Sequence, residues 1–178
     1  MRTAVHLILA LASGAACTLA AEPFQVMDEY RLKAAFVASF AEFVEWPPDA
    51  LKSPADPILI CVLGENPFGA ALSQAVDRKT VQDRKLLARE ISAVQQASGC
   101  QILFVSSSER KHFRSILKDP QLSGVLTVGD TGNFTAEGGM INLQVEGDRI
   151  RIFINQSAAA QGRLRISSRL LSLARIVN

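Results

Sequence analysis

The chain is short of the residues that most often carry chemistry. It has one tryptophan, one tyrosine, two histidines and three cysteines in 178 residues. Two of these, His6 and Cys17, fall in the first 20 positions. Past that segment only His112, Cys61 and Cys100 are left, and they have no zinc-ligand spacing. Ser106 to Ser108 stand near His112 in sequence, but no G-x-S-x-G elbow surrounds them, and helix capping accounts for them. Asp130 and Glu137 are too few and too loosely placed for a glycosidase pair. The segment Gly64 to Gly69 has the glycine spacing of a phosphate loop but lacks the Lys-Ser/Thr that would follow. With no nucleophile–base pair, no metal set and no cofactor signature, the sequence is that of a non-enzyme.

Long apolar runs are equally scarce. The first 21 residues combine Arg2, an apolar stretch from Val5 to Ala12 and the small-residue end Thr18-Leu19-Ala20-Ala21, the layout of a cleavable secretory signal peptide. Cys17 raises a lipoprotein reading, yet Gly14 stands where a lipobox wants leucine. Cleavage after Ala20 or Ala21 starts an exported chain near Glu22, and residues 22–178 form one domain. No later run reaches the roughly 18 apolar residues that span a bilayer, so the domain is not membrane-inserted. In an exporting compartment Cys61 and Cys100 can pair with each other; the alternative is two buried free thiols.

Acid is missing from one region. From Arg149 onward there are six arginines (149, 151, 163, 165, 169 and 175) and no aspartate or glutamate. Arginines favour forked contacts with carboxylates or phosphates; equally, they can form a solvated basic face balanced by acids elsewhere in the fold. A net charge of +2 on an exported domain does not suit nucleic acid.

What the chain does have is clear periodicity. Ile141, Leu143 and Val145, then Ile150, Ile152 and Ile154, alternate with polar residues on either side of Glu146-Gly147-Asp148, the pattern of a β-hairpin with one buried face. Ile58–Leu63, Ile102–Val105 and Leu122–Val128 read as central strands and Lys85–Ile91 as another. Met27–Val44 projects as an amphipathic helix that ends at Trp46-Pro47-Pro48. Lys33 falls inside its apolar arc and must snorkel, find a carboxylate, or line a pocket or partner surface. Asn66 and Pro67 are placed to open a helix reaching about Val76. Ser106 and Glu109 form a capping box for a helix to about Lys118. A short helix over Ala158–Gln161, an edge strand at Leu164–Ile166 and a closing helix over Ser168–Val177 complete the chain.

Strands alternating with helices predict an α/β, single-domain, three-layer sandwich. Its mixed sheet is parallel in the first part, ends in an antiparallel C-terminal hairpin and is flanked by helices. Loops at the carboxyl ends of parallel strands border a common crevice. Asn66, Ser106 and Asp130 fall there and are the candidate small-ligand residues.

Five segments in register resemble the YfiR family of periplasmic proteins: KAAFVASFAEFVEWP (Lys33 to Pro47), ICVLGENPFG (Ile60 to Gly69), CQILFVSSSE (Cys100 to Glu109), LTVGDTGNFTAEGGMINLQVEGDRIRIFIN (Leu126 to Asn155) and LRISSRLLSLARIV (Leu164 to Val177). The resemblance implies a periplasmic regulator that binds the periplasmic sensory domain of an inner-membrane diguanylate cyclase. It would hold the cyclase inactive until an OmpA-like outer-membrane lipoprotein takes the repressor away, raising cyclic di-GMP and favouring biofilm. A homodimer is compatible with it. Cys61 and Cys100 match family cysteine positions, but the further pair carried near the hairpin region (Gly138 to Asn155) is missing here, so redox control through that pair is not expected. Arg163, Arg165, Arg169 and Lys33 are the candidate partner-binding residues. The rival function is a small-ligand-sensing module that feeds a membrane signalling protein.

Overall fold

The structure is a computed structural model that describes residues 22–177; the predicted signal peptide lies outside the described residues. The chain order is α1 (Glu22–Phe40), β1 (Val44–Glu45), β2 (Ile58–Leu63), α2 (Ala71–Val76), β3 (Thr80–Val81), β4 (Arg84–Ile91), β5 (Ile102–Val105), α3 (Phe113–Ile116), β6 (Leu126–Gly129), β7 (Ile141–Glu146), β8 (Arg149–Asn155), α4 (Gln156–Gln161), β9 (Arg165–Ile166), α5 (Ser168–Leu171) and β10 (Arg175–Val177). Eight strands form one sheet in the order β10-β8-β7-β6-β5-β2-β4-β3, and β1 pairs with β9 in a separate ribbon. The run from β4 to β7 across the sheet is parallel, and β7–β8 is antiparallel. This is the mixed sandwich that the sequence predicts.

Three layers follow from how the central strands alternate. Ile58, Ile60 and Val62 of β2, with Ile102 and Phe104 of β5, pack on the face covered by α1 and α2. Cys61 and Leu63, with Leu103 and Val105, pack on the other face. A strand buried on both sides has no polar face to show, which is why these segments read as continuous apolar runs.

The two faces are covered differently. On one, α1 lies down through Ala34, Val37, Ala38, Phe40 and Ala41, all at most 2% exposed. The buried stripe is rotated from the projected arc: Ala38 is inside and Leu32 is 48% exposed. Alanine at 34 and 38 lets the helix backbone come close to the sheet, and that outweighs Leu32's hydrophobicity. The opposite face has only short turns, and there Cys61 and Cys100 are joined in a disulfide across 39 residues. Closing a loop of that length constrains the unfolded chain by roughly 4 kcal/mol on the chain-entropy model.

Phe134 plugs the same face. Its ring rests on Gly129 and Gly139, where an added Cβ would come within 2.6 and 2.2 Å of ring atoms, and it meets Phe113 edge-on at 5.1 Å. Gly129 and Gly139 have no side chain that would keep this ring out.

The hairpin has the expected register, with Ile141 opposite Ile154, Leu143 opposite Ile152 and Val145 opposite Ile150. Its two-residue turn puts Gly147 at a φ of 65°, a left-handed conformation that suits glycine.

Several local expectations are corrected. The helix after Pro67 starts only at Ala71; Asn66 instead closes a turn by accepting from the Phe68 N–H at 2.9 Å. Ser106 caps a 310 turn over Ser107–His112, and only Phe113–Ile116 is α-helical. The third central strand is shorter, because Pro120–Leu122 is a 310 turn. The closing helix breaks after one turn, and Arg175–Val177 leaves it to pair parallel with Phe153–Asn155. An open strand edge offering backbone hydrogen bonds outweighs the helical spacing of Leu170, Leu173 and Ala174.

Candidate functional site

The parallel strands fan out from a switch point, since the chain places β4 on one side of β2 and β5 on the other. In α/β sheets the ligand crevice opens there, beyond the carboxyl ends. Asn66, Ser106 and Asp130 each follow one of three adjacent strands, yet the fold does not gather them. Asn66 is occupied within its own loop and by Glu90, to which its amide donates at 2.7 Å. Ser106 is 2% exposed and accepts from the Ser108 N–H at 3.4 Å. The loops after β2 and β5 are stitched together: the Glu65 N–H donates to Ser108 Oγ at 3.0 Å. Above them, Phe68 packs edge-on against Phe104 at 4.6 Å and Tyr30 at 5.8 Å. These rings pack beside the loop that follows β2, and Asn66 lines a small cavity of about 240 Å³ with Val62 and Glu90.

Asp130 belongs to a different group, under the middle of α1. One of its oxygens, Oδ2, accepts from Lys33 Nζ and from the Tyr30 hydroxyl, both at 2.9 Å. Lys33 is also paired with Glu29, four residues back on the same helix, and lies 4.6 Å from the centre of the Tyr30 ring. The Lys33 and Asp130 side chains are 3% and 4% exposed. Lys33 thus neither snorkels nor reaches the surface: a buried ammonium needs compensation, and two carboxylates and a ring face supply it. Burial and the neighbouring Asp130 carboxylate push the Tyr30 phenol well above its ordinary pKa. Near Asp130, Thr131 Oγ1, Asn133 Oδ1 and Asn142 Oδ1 are buried without a hydrogen-bond partner among the described residues, although the Asn142 amide donates to the Thr131 carbonyl at 2.8 Å.

Sequence reasoning missed Glu29, Tyr30 and Asn142 as members of this group. Glu29 was within reach of an i, i+4 argument once Lys33 stood out. Asn142 was not, because it sits at a period-2 position that looks solvent-facing and is instead fully buried.

The C-terminal arginines gather at the opposite, amino end of the sheet and along the hairpin, and most meet acids from elsewhere in the fold. Arg163 forks onto Asp49 at 2.7 and 3.0 Å, which holds the Asp49 carboxyl below the usual aspartate range. Arg165 lies 3.7 Å from Glu45 across the β1–β9 ribbon. Arg151 and Arg175 share Glu146, at 3.5 and 3.0 Å, and Arg149 lies 3.6 Å from Asp148. Arg169 alone has no carboxylate among the described residues; its guanidinium lies 5.7 Å from the centre of the Phe43 ring.

Among the described residues, no group of three or more His, Cys, Asp or Glu could hold a metal ion. No helix of the described chain is long and apolar enough to cross a membrane.

The fold and this site define a disulfide-bonded α/β domain with a mixed sheet and a buried Lys33–Asp130 pair. The chain belongs to the YfiR/HmsC-like family (DUF4154), whose model matches residues 30–175. No curated protein matches it by sequence. Two solved structures share the fold. A conserved domain protein from Vibrio cholerae O1 biovar El Tor str. N16961 aligns with a TM-score of 0.51 at 10% identity, over 67% of this chain and 54% of that one. The ABC domain in complex with L-Trp from Streptococcus pneumonia aligns with a TM-score of 0.55 at 8% identity, over 81% of this chain and 60% of that one. This chain therefore spans less than two thirds of either, and at such identities the likeness is one of fold.

Proposed function

We propose that residues 1–21 are a signal peptide and that residues 22–178 act in the periplasm as a regulatory domain. This domain binds the periplasmic sensory domain of an inner-membrane diguanylate cyclase and holds it inactive. Cyclic di-GMP and biofilm formation are thereby kept low until an OmpA-like outer-membrane lipoprotein sequesters the repressor. The observation that carries this reading is family membership over residues 30–175. The disulfide-braced core supports it, since it favours a rigid body that acts through its surface. Repression by such a body is no stronger than its preference for the inactive partner. Moving a two-state partner from mostly on to mostly off takes roughly 5 kcal/mol of differential affinity.

Arg163, Arg165 and Arg169 are proposed for the partner surface. Arg165 stands on the β1–β9 ribbon with its side chain 86% exposed, Arg163 reaches Asp49, and Arg169 lies over Phe43. Lys33, being buried, serves that surface only by fixing α1. Deleting the gene is expected to raise cyclic di-GMP, and the purified protein is expected to capture the cyclase from inner-membrane extracts. An unchanged second-messenger level together with no capture would overturn the proposal.

A second reading, that the domain senses a small ligand, is favoured by the unpartnered oxygens of Thr131, Asn133 and Asn142 beside Asp130. Thermal-shift screening separates the two, because a ligand that binds the folded state raises the melting temperature with its concentration.

A further inference from the structure

The edge of the sheet opposite the hairpin has room for another strand. β3 covers β4 only at Arg84 and Lys85. From Leu87 to Ile91, β4 pairs with β2 on one side and, among the described residues, with no strand on the other. The ladder shows which groups face out. The Leu86 N–H donates outward to the Lys79 carbonyl at 3.2 Å, whereas the Ile91 carbonyl accepts from Gly64 on the β2 side at 3.3 Å. Residues alternate along a strand, so Ala88 and Glu90 turn both N–H and C=O to the open edge. Such an edge is a template for a further strand.

A groove runs along it. Between β4 and α2 lie two adjoining cavities of about 770 and 240 Å³ that share Ser73 and Ala88 and follow β4 from Lys85 to Glu90, a path of ~20 Å for six extended residues. Leu72 and Val76 of α2 form the apolar wall, and Leu87 on the outer face is 47% exposed. Charge is lopsided here. The acids lining the groove are Asp77, which is 3.7 Å from Arg78, and Glu90, which accepts from Asn66. Lys85 makes no ion pair among the described residues; Arg89, on the same face of β4, has no carboxylate partner among them either, but its guanidinium donates to the Gln96 carbonyl at 2.9 Å and lies against the Cys61 and Cys100 sulfurs.

We propose that this groove is the docking site for an extended acidic segment of a partner protein, which joins the sheet as a strand through Ala88 and Glu90. Period-2 alternation sets what the segment must look like: apolar side chains on the α2 side, carboxylates on the side of Lys85 and Arg89. This goes beyond the regulatory reading and does not depend on what the partner does.

The test uses the purified protein and two blocked, fluorescently labelled peptides, one alternating valine with glutamate and one alternating valine with lysine. The glutamate peptide is expected to bind saturably and the lysine peptide at least tenfold more weakly. Binding should slow hydrogen exchange at the Ala88 and Glu90 amides at least tenfold. Ala88→Pro, which replaces the outward-facing donor with a ring on the open edge, should abolish binding. Lys85→Glu, an exposed change that leaves the melting temperature alone, should weaken it several-fold. Equal binding of both peptides, no saturable binding, or binding indifferent to Lys85→Glu would overturn the proposal. So would Ala88 and Glu90 amides already protected in the free protein, which would mean that the chain itself or a second copy fills the groove.

Discussion

The two ends of the central sheet set cations against carboxylates in opposite ways. At the carboxyl end, Lys33 and Asp130 meet almost out of reach of water, with Tyr30 on the same oxygen. At the amino end, Arg163 with Asp49 and Arg165 with Glu45 are all more than half exposed. Water and salt screen the second kind, so an exposed pair contributes about 0–1 kcal/mol. The first kind cannot lose one member without stranding the other, at a cost of about 3–5 kcal/mol. One end therefore fixes how α1 sits on the sheet. The other end's arginines can be re-paired by a partner with little effect on the fold.

The hardest blow to this contrast falls on the buried end. Lys33→Met keeps the stem and removes the charge, and should destabilise the domain by about 3–5 kcal/mol in urea denaturation. Adding Asp130→Leu should recover much of that loss, because an apolar pair of similar volume replaces a buried ion pair at little cost. A Lys33→Met protein as stable as its parent would mean that the two ends do not differ.

The next test reads the same end by titration. Tyr30 is the only tyrosine in the chain, so phenolate absorbance reports on it alone. Its folded pKa is raised, so the folded state keeps a proton that the unfolded chain releases near pH ~10. Its contribution to stability is therefore complete below about pH 10 and is lost as the pH rises through the higher folded value. In the native protein phenolate should appear only well above the pH at which free tyrosine ionises, and Tyr30→Phe should flatten the alkaline loss of stability.

At the amino end, Arg163→Ala should return the Asp49 carboxyl to the ordinary aspartate range in an NMR titration and leave the melting temperature essentially unchanged. The sign is opposite to that of Tyr30. Asp49 is depressed in the folded state, so what it contributes is present above the ordinary aspartate value and lost as the pH falls through the lower one. The smallest effect on the fold is expected from Arg165→Glu, which should weaken capture of the cyclase's periplasmic domain with no change in thermal stability. Unchanged capture would remove Arg165 from the partner surface.

Much of this fold was legible beforehand because its signals are local and repeated. The hairpin could be read residue by residue, since a one-residue slip would turn every isoleucine outward. The β2 and β5 runs were legible because strands buried on both faces carry no polar positions. The disulfide rested on a count of two cysteines in a chain read as exported. The site was only half visible. Lys33 advertised itself as a charge on an apolar arc, but nothing near it in sequence named Asp130, 97 residues away. The crevice expected at Asn66, Ser106 and Asp130 followed from topology, and topology does not say which partners each side chain finds.

By itself, then, the sequence determined the central apolar strands, the hairpin register and the family, and it allowed a cross-link between Cys61 and Cys100; all of these rest on periodicity, counting or motif order along the chain. Only the tertiary structure decided that Lys33 is buried against Asp130, that the arginines find carboxylates on distant segments, and that Arg175–Val177 leaves a helix to join the sheet. Each of these was settled by which groups the folded chain brings within a few ångströms, and by the cost of leaving a charge or a strand edge unpaired once they are there.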